Sequence, residues 1–90
     1  MSEPLNILVI EDSIADFQMI ERHLKKTGLS ARCSRVDSLE GLKEVIDRES
    51  WDLVLSDYNI PQLDFRDSLN LLHAALPDLP VILVSGTVGE

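Results

Sequence analysis

The sequence has very little cysteine, no extended basic run and no long apolar run. Its one cysteine, Cys33, has no partner for an internal disulfide, which fits a reducing compartment. Sixteen acidic residues oppose eight Lys or Arg, and Lys or Arg are adjacent only at Lys25–Lys26, so we expect no nucleic-acid binding through this domain. The N-terminus has no basic region, and its apolar run is too short for a signal peptide or a membrane span. These absences predict a cytoplasmic domain with no membrane partner.

Apolar residues make up 44% of the chain, which indicates a folded domain rather than a disordered segment. Four aliphatic-rich runs predict strands, and segments with apolar residues at helical spacing lie between them. The predicted strands are Ile7–Ile10, Ala31–Val36, the run that ends at Asp57, and Val81–Val84. The predicted helices start at the caps Asp12 or Ser13, Asp37 or Ser38, and Asp64, and end at Thr27, Glu49–Ser50 and Pro77.

Alternation of strands and helices predicts an α/β fold with a parallel sheet and right-handed crossovers. We expect the flavodoxin-like, doubly wound arrangement with strand order 2-1-3-4, which leaves the second strand at an edge. The third strand contains three consecutive aliphatic residues, Leu53 to Leu55, which predicts burial on both of its faces. The chain shows no linker, no low-complexity segment and no repeat beyond the βα unit, so residues 1–90 are expected to form one domain.

Acidic residues follow two strands that this order makes neighbours. Glu11 and Asp12 end the first strand and Asp57 ends the third, so their carboxylates should meet in one crevice, bordered by Ser85 and Thr87. Each close pair of carboxylates costs about 4 kcal/mol at an intermediate dielectric constant, which a raised pKa or a bound cation must offset. Oxygen ligands suit Mg²⁺ (or Mn²⁺), and a carboxylate beside such an ion suits phosphoryl transfer. The residues thus predict a Mg²⁺-dependent phosphoacceptor site centred on Asp57.

Each of these residues also has an ordinary structural interpretation. Asp12 alone is a common helix cap, and Asp57 alone could begin a turn. A serine after the last strand would mean little by itself. The functional prediction therefore depends on the combination of acids at two adjacent strand ends with a hydroxyl at the end of the next strand.

The motifs at the strand ends are Glu11–Asp12 after ILVI, Asp57 after LVLS, Pro61 four residues later, and Ser85–Gly86 after VILV. In order and spacing they resemble the receiver (CheY-like) domain of two-component response regulators, over all 90 residues. The resemblance implies that Glu11 and Asp12 hold Mg²⁺ and that Asp57 accepts a phosphoryl group from a histidine kinase or phosphotransfer protein.

It further implies that the Asn59 backbone carbonyl completes the metal shell, and that Ser85, followed by Gly86, contacts the phosphoryl group. The chain also departs from this family. Phe65 stands where the family usually has glycine, and phenylalanine disfavours positive φ, so we expect a different turn or an earlier helix start. We also expect a fragment that lacks the last helix, strand and helix, with the lysine and the aromatic switch residue that they carry.

Two rival functions stay open from the sequence. A haloacid-dehalogenase-type phosphatase would carry a second Asp two residues after its nucleophile, whereas Ser13 and Ile14 follow Asp12. A protein-interaction module without phosphorylation fits the missing lysine but not the complete set of acids. Beyond slow hydrolysis of its own phosphoryl group, we expect no enzymatic activity.

Two surfaces are candidate partner sites. The side of the first helix that faces away from its apolar stripe begins near the acidic crevice and is a candidate kinase contact, formed by Ala15, Gln18, Met19 and Arg22. The last strand, Val81–Val84, has no charge and no proline, so it should invite pairing, and we expect a homo-oligomer through this strand or an uncovered sheet face. The other tempting residues, His23, His73, Cys33 and Trp51, are interpreted as structural.

Overall fold

The structure, a computed structural model, describes residues 4–57, 60–61 and 63–84. In these residues strands and helices alternate, with the bounds β1 Leu5–Ile10, α1 Ile14–Lys26, β2 Ala31–Val36, α2 Leu39–Arg48, β3 Leu53–Asp57, α3 Phe65–Ala75 and β4 Val81–Val84. The strands form one parallel sheet in the order β2-β1-β3-β4. The predicted α/β fold and strand order are confirmed, including the position of β2 at an edge.

Short polar side chains start each helix, as the sequence predicted. The Ser13 hydroxyl accepts a hydrogen bond from the Asp16 N–H at 3.2 Å, and Ser38 does the same for Gly41 at 3.0 Å. The Asp64 carboxylate caps α3 by accepting from the Arg66 N–H at 2.7 Å. These side chains satisfy backbone donors that have no partner within the helix.

The ends of α1 and α3 follow from backbone conformation. Gly28 has φ of +83°, the left-handed conformation that stops a helix at little steric cost. Among the described residues no other residue has positive φ, and α3 begins at Phe65 itself. Phe65 is thus the first helical residue after the predicted cap Asp64 and needs no positive φ. The expected difference from the family's turn remains a prediction.

The two faces of the sheet are covered to different extents. Helices α2 and α3 cover one face. The apolar cluster on that face includes four residues that are each at most 1% exposed, namely Leu8, Val54, Leu42 and Leu72. Helix α1 lies on the other face and has no fully buried residue, since its apolar stripe is only half-buried. Among the described elements, α1 alone lies over this face of the four strands, and apolar side chains there stay partly exposed.

This difference limits one sequence prediction. Val54 is fully buried, but Leu53 and Leu55 point to the α1 face and are half-buried. The prediction that β3 is buried on both faces is thus confirmed only for the face under α2 and α3. The number of covering helices, rather than the apolar character of β3, sets this outcome.

Trp51 packs at the amino end of the sheet, as predicted. Its side chain is 9% exposed, and its indole Nε1–H donates to the Val45 carbonyl at 2.9 Å. A buried indole with a satisfied donor is a structural residue.

Candidate metal and phosphoacceptor site

Three acidic side chains meet at the carboxyl end of the sheet. Strands β1 and β3 are parallel neighbours, with Ile10 opposite Ser56, so the residues that follow Ile10 lie beside Asp57. One carboxylate oxygen from each of Glu11, Asp12 and Asp57 lies within 4.8 Å of the other two. The geometry therefore brings together the three acids that the sequence predicted would converge.

Glu11 is the fixed member of this group. Glu11 is only 3% exposed, and its backbone N–H donates to the Val36 carbonyl at 3.0 Å. Its own carbonyl accepts from Arg35 Nη1 at 3.1 Å, and its carboxylate oxygen Oε2 accepts from the Ser13 N–H at 3.0 Å. Hydrogen bonds at the main chain and at the side chain hold the Glu11 carboxylate in place at the start of α1.

The position of Glu11 changes its acidity. Burial raises the pKa of Glu11 from 4.5 to about 7, because the charged carboxylate loses hydration. The Ser13 hydrogen bond lowers the pKa, while the negative charge of Asp57, a hydrogen bond with Asp12 and the charge of Asp16 raise it further. A group with a pKa near 7 is poised to exchange its proton for a cation under ordinary conditions.

Asp12 and Asp57 are more open to solvent than Glu11. Asp12 is exposed, and Asp57, the last residue of β3, is half-buried. The cluster thus has one anchored acid and two acids that a ligand can reach from solvent. This arrangement can hold a cation and still present the Asp57 carboxylate to a reactant.

Arg35 is a cation near the carboxyl edge of the sheet that the sequence reasoning missed. Its Nη1 donates to the Glu11 carbonyl and lies 3.4 Å from the Asp37 carboxylate. The sequence did hold a signal, because Arg35 is the penultimate residue of β2 and parallel strands end at the same edge. The three lysines, by contrast, are exposed and lie on helices, namely Lys25, Lys26 and Lys43.

Four residues that the sequence predicted at the site lie outside the described residues, namely Asn59, Ser85, Gly86 and Thr87. Their predicted contacts with a metal or a phosphoryl group remain predictions.

The remaining candidates lie where the sequence placed them. The outward side of α1 is exposed, with Met19 at 58%, and so are Ala15, Gln18 and Arg22. His23 and His73 are exposed helical residues. Burial, and then the charge of Glu21, raise the pKa of the Cys33 thiol, so this half-buried cysteine stays protonated and unreactive near neutral pH.

Comparison with known proteins identifies the family. Residues 7–90 match the family described as response regulator receiver domain, and the chain belongs to that family. Relatives include the cell cycle transcriptional regulator CtrA of Caulobacter vibrioides, 33% identical over 85 residues, which cover 92% of this chain and 35% of the relative. The response regulator protein FleR of Pseudomonas aeruginosa is 42% identical over 50 residues, 56% of this chain and 11% of FleR. The chain thus spans about a third or less of these relatives.

Solved structures agree on the fold. The response regulator RPA3017 in red light signalling of R. palustris superposes with a TM-score of 0.79 at 25% identity, over 94% of this chain and 68% of that one. The MaeR response regulator bound to beryllium trifluoride has a TM-score of 0.79 at 24% identity, over 96% of this chain and 70% of that one. Both likenesses support a receiver fold.

None of the described helices is both long and apolar enough to cross a bilayer, and the longest of them, α1, has 13 residues.

Proposed function

We propose that Asp57 accepts a phosphoryl group, in a reaction that depends on Mg²⁺ or Mn²⁺, from a histidine kinase or a phosphotransfer protein. Membership of the receiver family makes the chain a module of two-component signal transduction. The observation that carries the finer proposal is the convergence of Glu11, Asp12 and Asp57 within 4.8 Å at the carboxyl end of the sheet. That edge is where open α/β sheets place their ligands.

The donor atoms fit a hard divalent cation. All three side chains offer carboxylate oxygens, which Mg²⁺ and Mn²⁺ prefer over softer ligands. A cation would also relieve the repulsion that contributes to the raised pKa of Glu11. When bound, such an ion supplies neutralisation of charge on the oxygens of the transferring phosphoryl group. We assign Glu11, Asp12 and Asp57 as its side-chain ligands.

The chemistry at Asp57 is a simple exchange of bonds. A carboxylate oxygen of Asp57 forms a bond to phosphorus while the bond from phosphorus to the donor nitrogen breaks, and the electron pair returns to the donor imidazole. The product is an acyl phosphate. Hydrolysis by water then restores the Asp57 carboxylate and releases inorganic phosphate, so the module needs no further enzymatic activity.

The resemblance assigns roles to residues outside the described part. We propose that the Asn59 carbonyl completes the metal shell and that Ser85, beside Gly86, donates to a phosphoryl oxygen. We also propose that residues 1–90 form an incomplete receiver-like domain with a cytoplasmic location.

A second candidate function is a receiver-like module that works by protein contact without phosphorylation. The observation that favours it is that the lysines of the described residues are all exposed on α1 and α2, namely Lys25, Lys26 and Lys43. A positively charged group beside the acceptor carboxylate would stabilise the transferring phosphoryl group.

The outward side of α1 is the proposed contact for the kinase. Its members Ala15, Gln18, Met19 and Arg22 are exposed, and α1 begins two residues after Asp12. Met19→Glu should reduce transfer from a phosphohistidine partner at least fivefold and leave labelling by a small phosphodonor intact. Equal loss of both activities would show damage to the fold and refute this assignment.

The test of the proposed function is chemical. The chain is incubated with a small phosphodonor in the presence of Mg²⁺ or of excess chelator, and the modified residue is located by mass spectrometry. We expect a base-labile acyl phosphate on Asp57 that forms only with the cation. Modification at Ser56 or a histidine would contradict the proposal, and absence of any label under all conditions would favour the contact module. Sustained turnover of a generic phosphate ester would instead indicate a phosphatase.

A further inference from the structure

Charge is unevenly distributed along this acidic chain. Residues 22–36 contain five of the eight Lys and Arg residues and none of the sixteen Asp and Glu residues, although the whole chain carries a net charge of −8. The three other basic residues, Lys43, Arg48 and Arg66, each have an acidic residue beside them in the sequence. A basic segment inside an acidic domain produces a local field of opposite sign to the rest of the surface.

The structure places much of this segment at the amino end of the sheet. Lys25 and Lys26 end α1, and the exposed turn that follows contains Leu29. Arg32 is the second residue of the edge strand β2 and lies on the same face as Val36, the face that α2 covers. All four are exposed, and we call the set of Lys25, Lys26, Leu29 and Arg32 the basic corner. The basic corner thus wraps around the start of β2.

The cations of the basic corner have no acidic partner in the part of the chain that the structure describes. The ion pair found there joins Arg35 to Asp37 at 3.4 Å, at the other end of β2. Glu21 lies one helical turn before Lys25 but makes no ion pair with it. Cations in the last turn of a helix favour its dipole, which accounts for the two lysines but not for Arg32 on a strand. The charges of the corner are therefore free to meet an anion from outside.

An apolar side chain lies among these cations. Leu29 is three residues from Lys26 and three from Arg32, and it is one of the exposed large hydrophobic residues, at 40%. The stems of the lysines add methylene groups to the surface while their charges stay in water. A ligand that combines carboxylates with an apolar side chain matches both features, whereas an inorganic anion uses only the charges.

The net charge of the chain decides which class of anionic partner fits. Nucleic acids and anionic membranes present rows of negative charge that extend well beyond a surface of four residues. Acidic residues elsewhere on the domain would face those charges, and the net charge of −8 would repel them. A short acidic segment of a protein can reach the corner alone, and its opposite charge would steer it there.

We propose that the basic corner binds an acidic segment of a partner protein, with carboxylates against its three cations and an apolar side chain against Leu29. The corner is distinct from the acidic cluster, because Arg32 lies opposite Asn6 and β1 continues for roughly 16 Å from Asn6 to Glu11. The inference therefore stands independently of the proposed phosphoryl transfer. Salt screens exposed charge pairs, so binding should weaken as ionic strength rises.

A short fluorescent peptide of glutamate and leucine residues, titrated with the 90-residue chain at low and high salt, tests the proposal. We expect backbone amides within residues 25–32 to shift, and binding to weaken at least about fivefold at high salt. Lys25→Glu combined with Lys26→Glu should weaken binding at least about tenfold. Lys43→Glu combined with Arg48→Glu makes the same change of charge at exposed positions of α2 and should weaken binding less than about threefold. Equal losses in the two double variants would show attraction to net charge alone and would overturn the proposal.

Neutral variants keep the test decisive if charge reversal at the end of α1 prevents folding. Lys25→Gln combined with Lys26→Gln should weaken binding about threefold, and Leu29→Ser about twofold, because each removes one of the two kinds of contact. A peptide with glutamine in place of glutamate should not bind. Absence of binding by the glutamate peptide would contradict the proposal. Tighter binding of a single-stranded oligonucleotide or of phosphatidylserine vesicles would contradict it as well, because the partner would then not be a protein segment.

Discussion

The two ends of strand β3 carry aspartates with different surroundings. Asp52, just before the strand, is tied to β1 by two hydrogen bonds, because its carboxylate accepts from the Asn6 N–H at 2.8 Å and its N–H donates to the Asn6 carbonyl at 2.8 Å. Asp57, at the other end, faces two more carboxylates within 4.8 Å. One aspartate is thus used to fasten two strands, whereas the other is placed against like charge.

The difference shows how strand direction separates structural from functional acids. At the amino end, backbone N–H groups of the neighbouring strand satisfy Asp52. At the carboxyl end, burial and then the charge of Asp57 raise the pKa of Glu11, an electrostatic cost that a bound proton or cation offsets. Residue type alone does not distinguish Asp52 from Asp57, but position along parallel strands does.

The largest expected effect comes from the same isosteric change at both ends of β3. Asp57→Asn should abolish labelling by a small phosphodonor, to below about 1% of wild type, because the amide is not a phosphoryl acceptor. Asp52→Asn should leave labelling within about twofold and lower the free energy of unfolding by less than about 1 kcal/mol, because a charge-assisted hydrogen bond becomes a neutral one. Labelling and denaturant unfolding are measured on both variants.

The reverse pattern would break the comparison. If Asp52→Asn removed labelling, or if Asp57→Asn unfolded the chain, the two ends would not differ as the structure indicates.

The second effect is a pH dependence that belongs to Glu11. Its folded pKa, about 7, lies above its ordinary value of 4.5, so the folded state holds this proton more tightly than the unfolded state. The stability contributed by protonated Glu11 is therefore complete below pH 4.5 and is lost as pH rises through about 7. Mg²⁺ competes with the same proton, so its affinity should fall roughly tenfold from pH 8 to pH 6.

Glu11→Gln is the control for this prediction. Glutamine keeps an oxygen for the Ser13 N–H but carries no titrating proton. The variant should bind Mg²⁺ weakly at every pH and should lose the Glu11 part of the pH dependence of unfolding. Identical pH profiles for wild type and Glu11→Gln would contradict the assigned pKa.

The smallest effect is expected from Arg35. Its guanidinium contacts the Glu11 carbonyl rather than a carboxylate of the cluster, so it positions the main chain that carries two of the acids. Arg35→Met should weaken Mg²⁺ binding about two- to fivefold, and Arg35→Lys should restore part of the loss. Arg32→Met, on the same strand but exposed, is the matched control. Equal effects of Arg32→Met and Arg35→Met in metal titrations would show that Arg35 has no specific role.

Much of the fold could be predicted because its signals are local. Aliphatic runs define β1, β3 and β4. The helices begin at the N-cap residues Ser13, Ser38 and Asp64, whose side chains accept hydrogen bonds from backbone N–H groups of the first turn. The convergence of the acids also followed, since the strand order makes the ends of β1 and β3 neighbours.

Other features depend on contacts between distant segments and could not be predicted. The position of Arg35 near the end of β2 indicates the correct edge of the sheet, but no sequence motif specifies its hydrogen bond to Glu11, 24 positions away. The partial exposure of Leu55 reflects how many helices cover the α1 face. The pKa of Glu11 likewise depends on its final burial.

The central claim, a divalent-cation site at the carboxyl end of the sheet, is tested most directly by a Mg²⁺ titration followed through backbone amide chemical shifts. We expect the amides of Glu11, Asp12 and Asp57 to shift with a common millimolar dissociation constant, while those of Asn6 and Asp52 at the amino end stay unchanged. Absence of any response at the carboxyl end at millimolar Mg²⁺, or equal shifts at both ends, would contradict the claim.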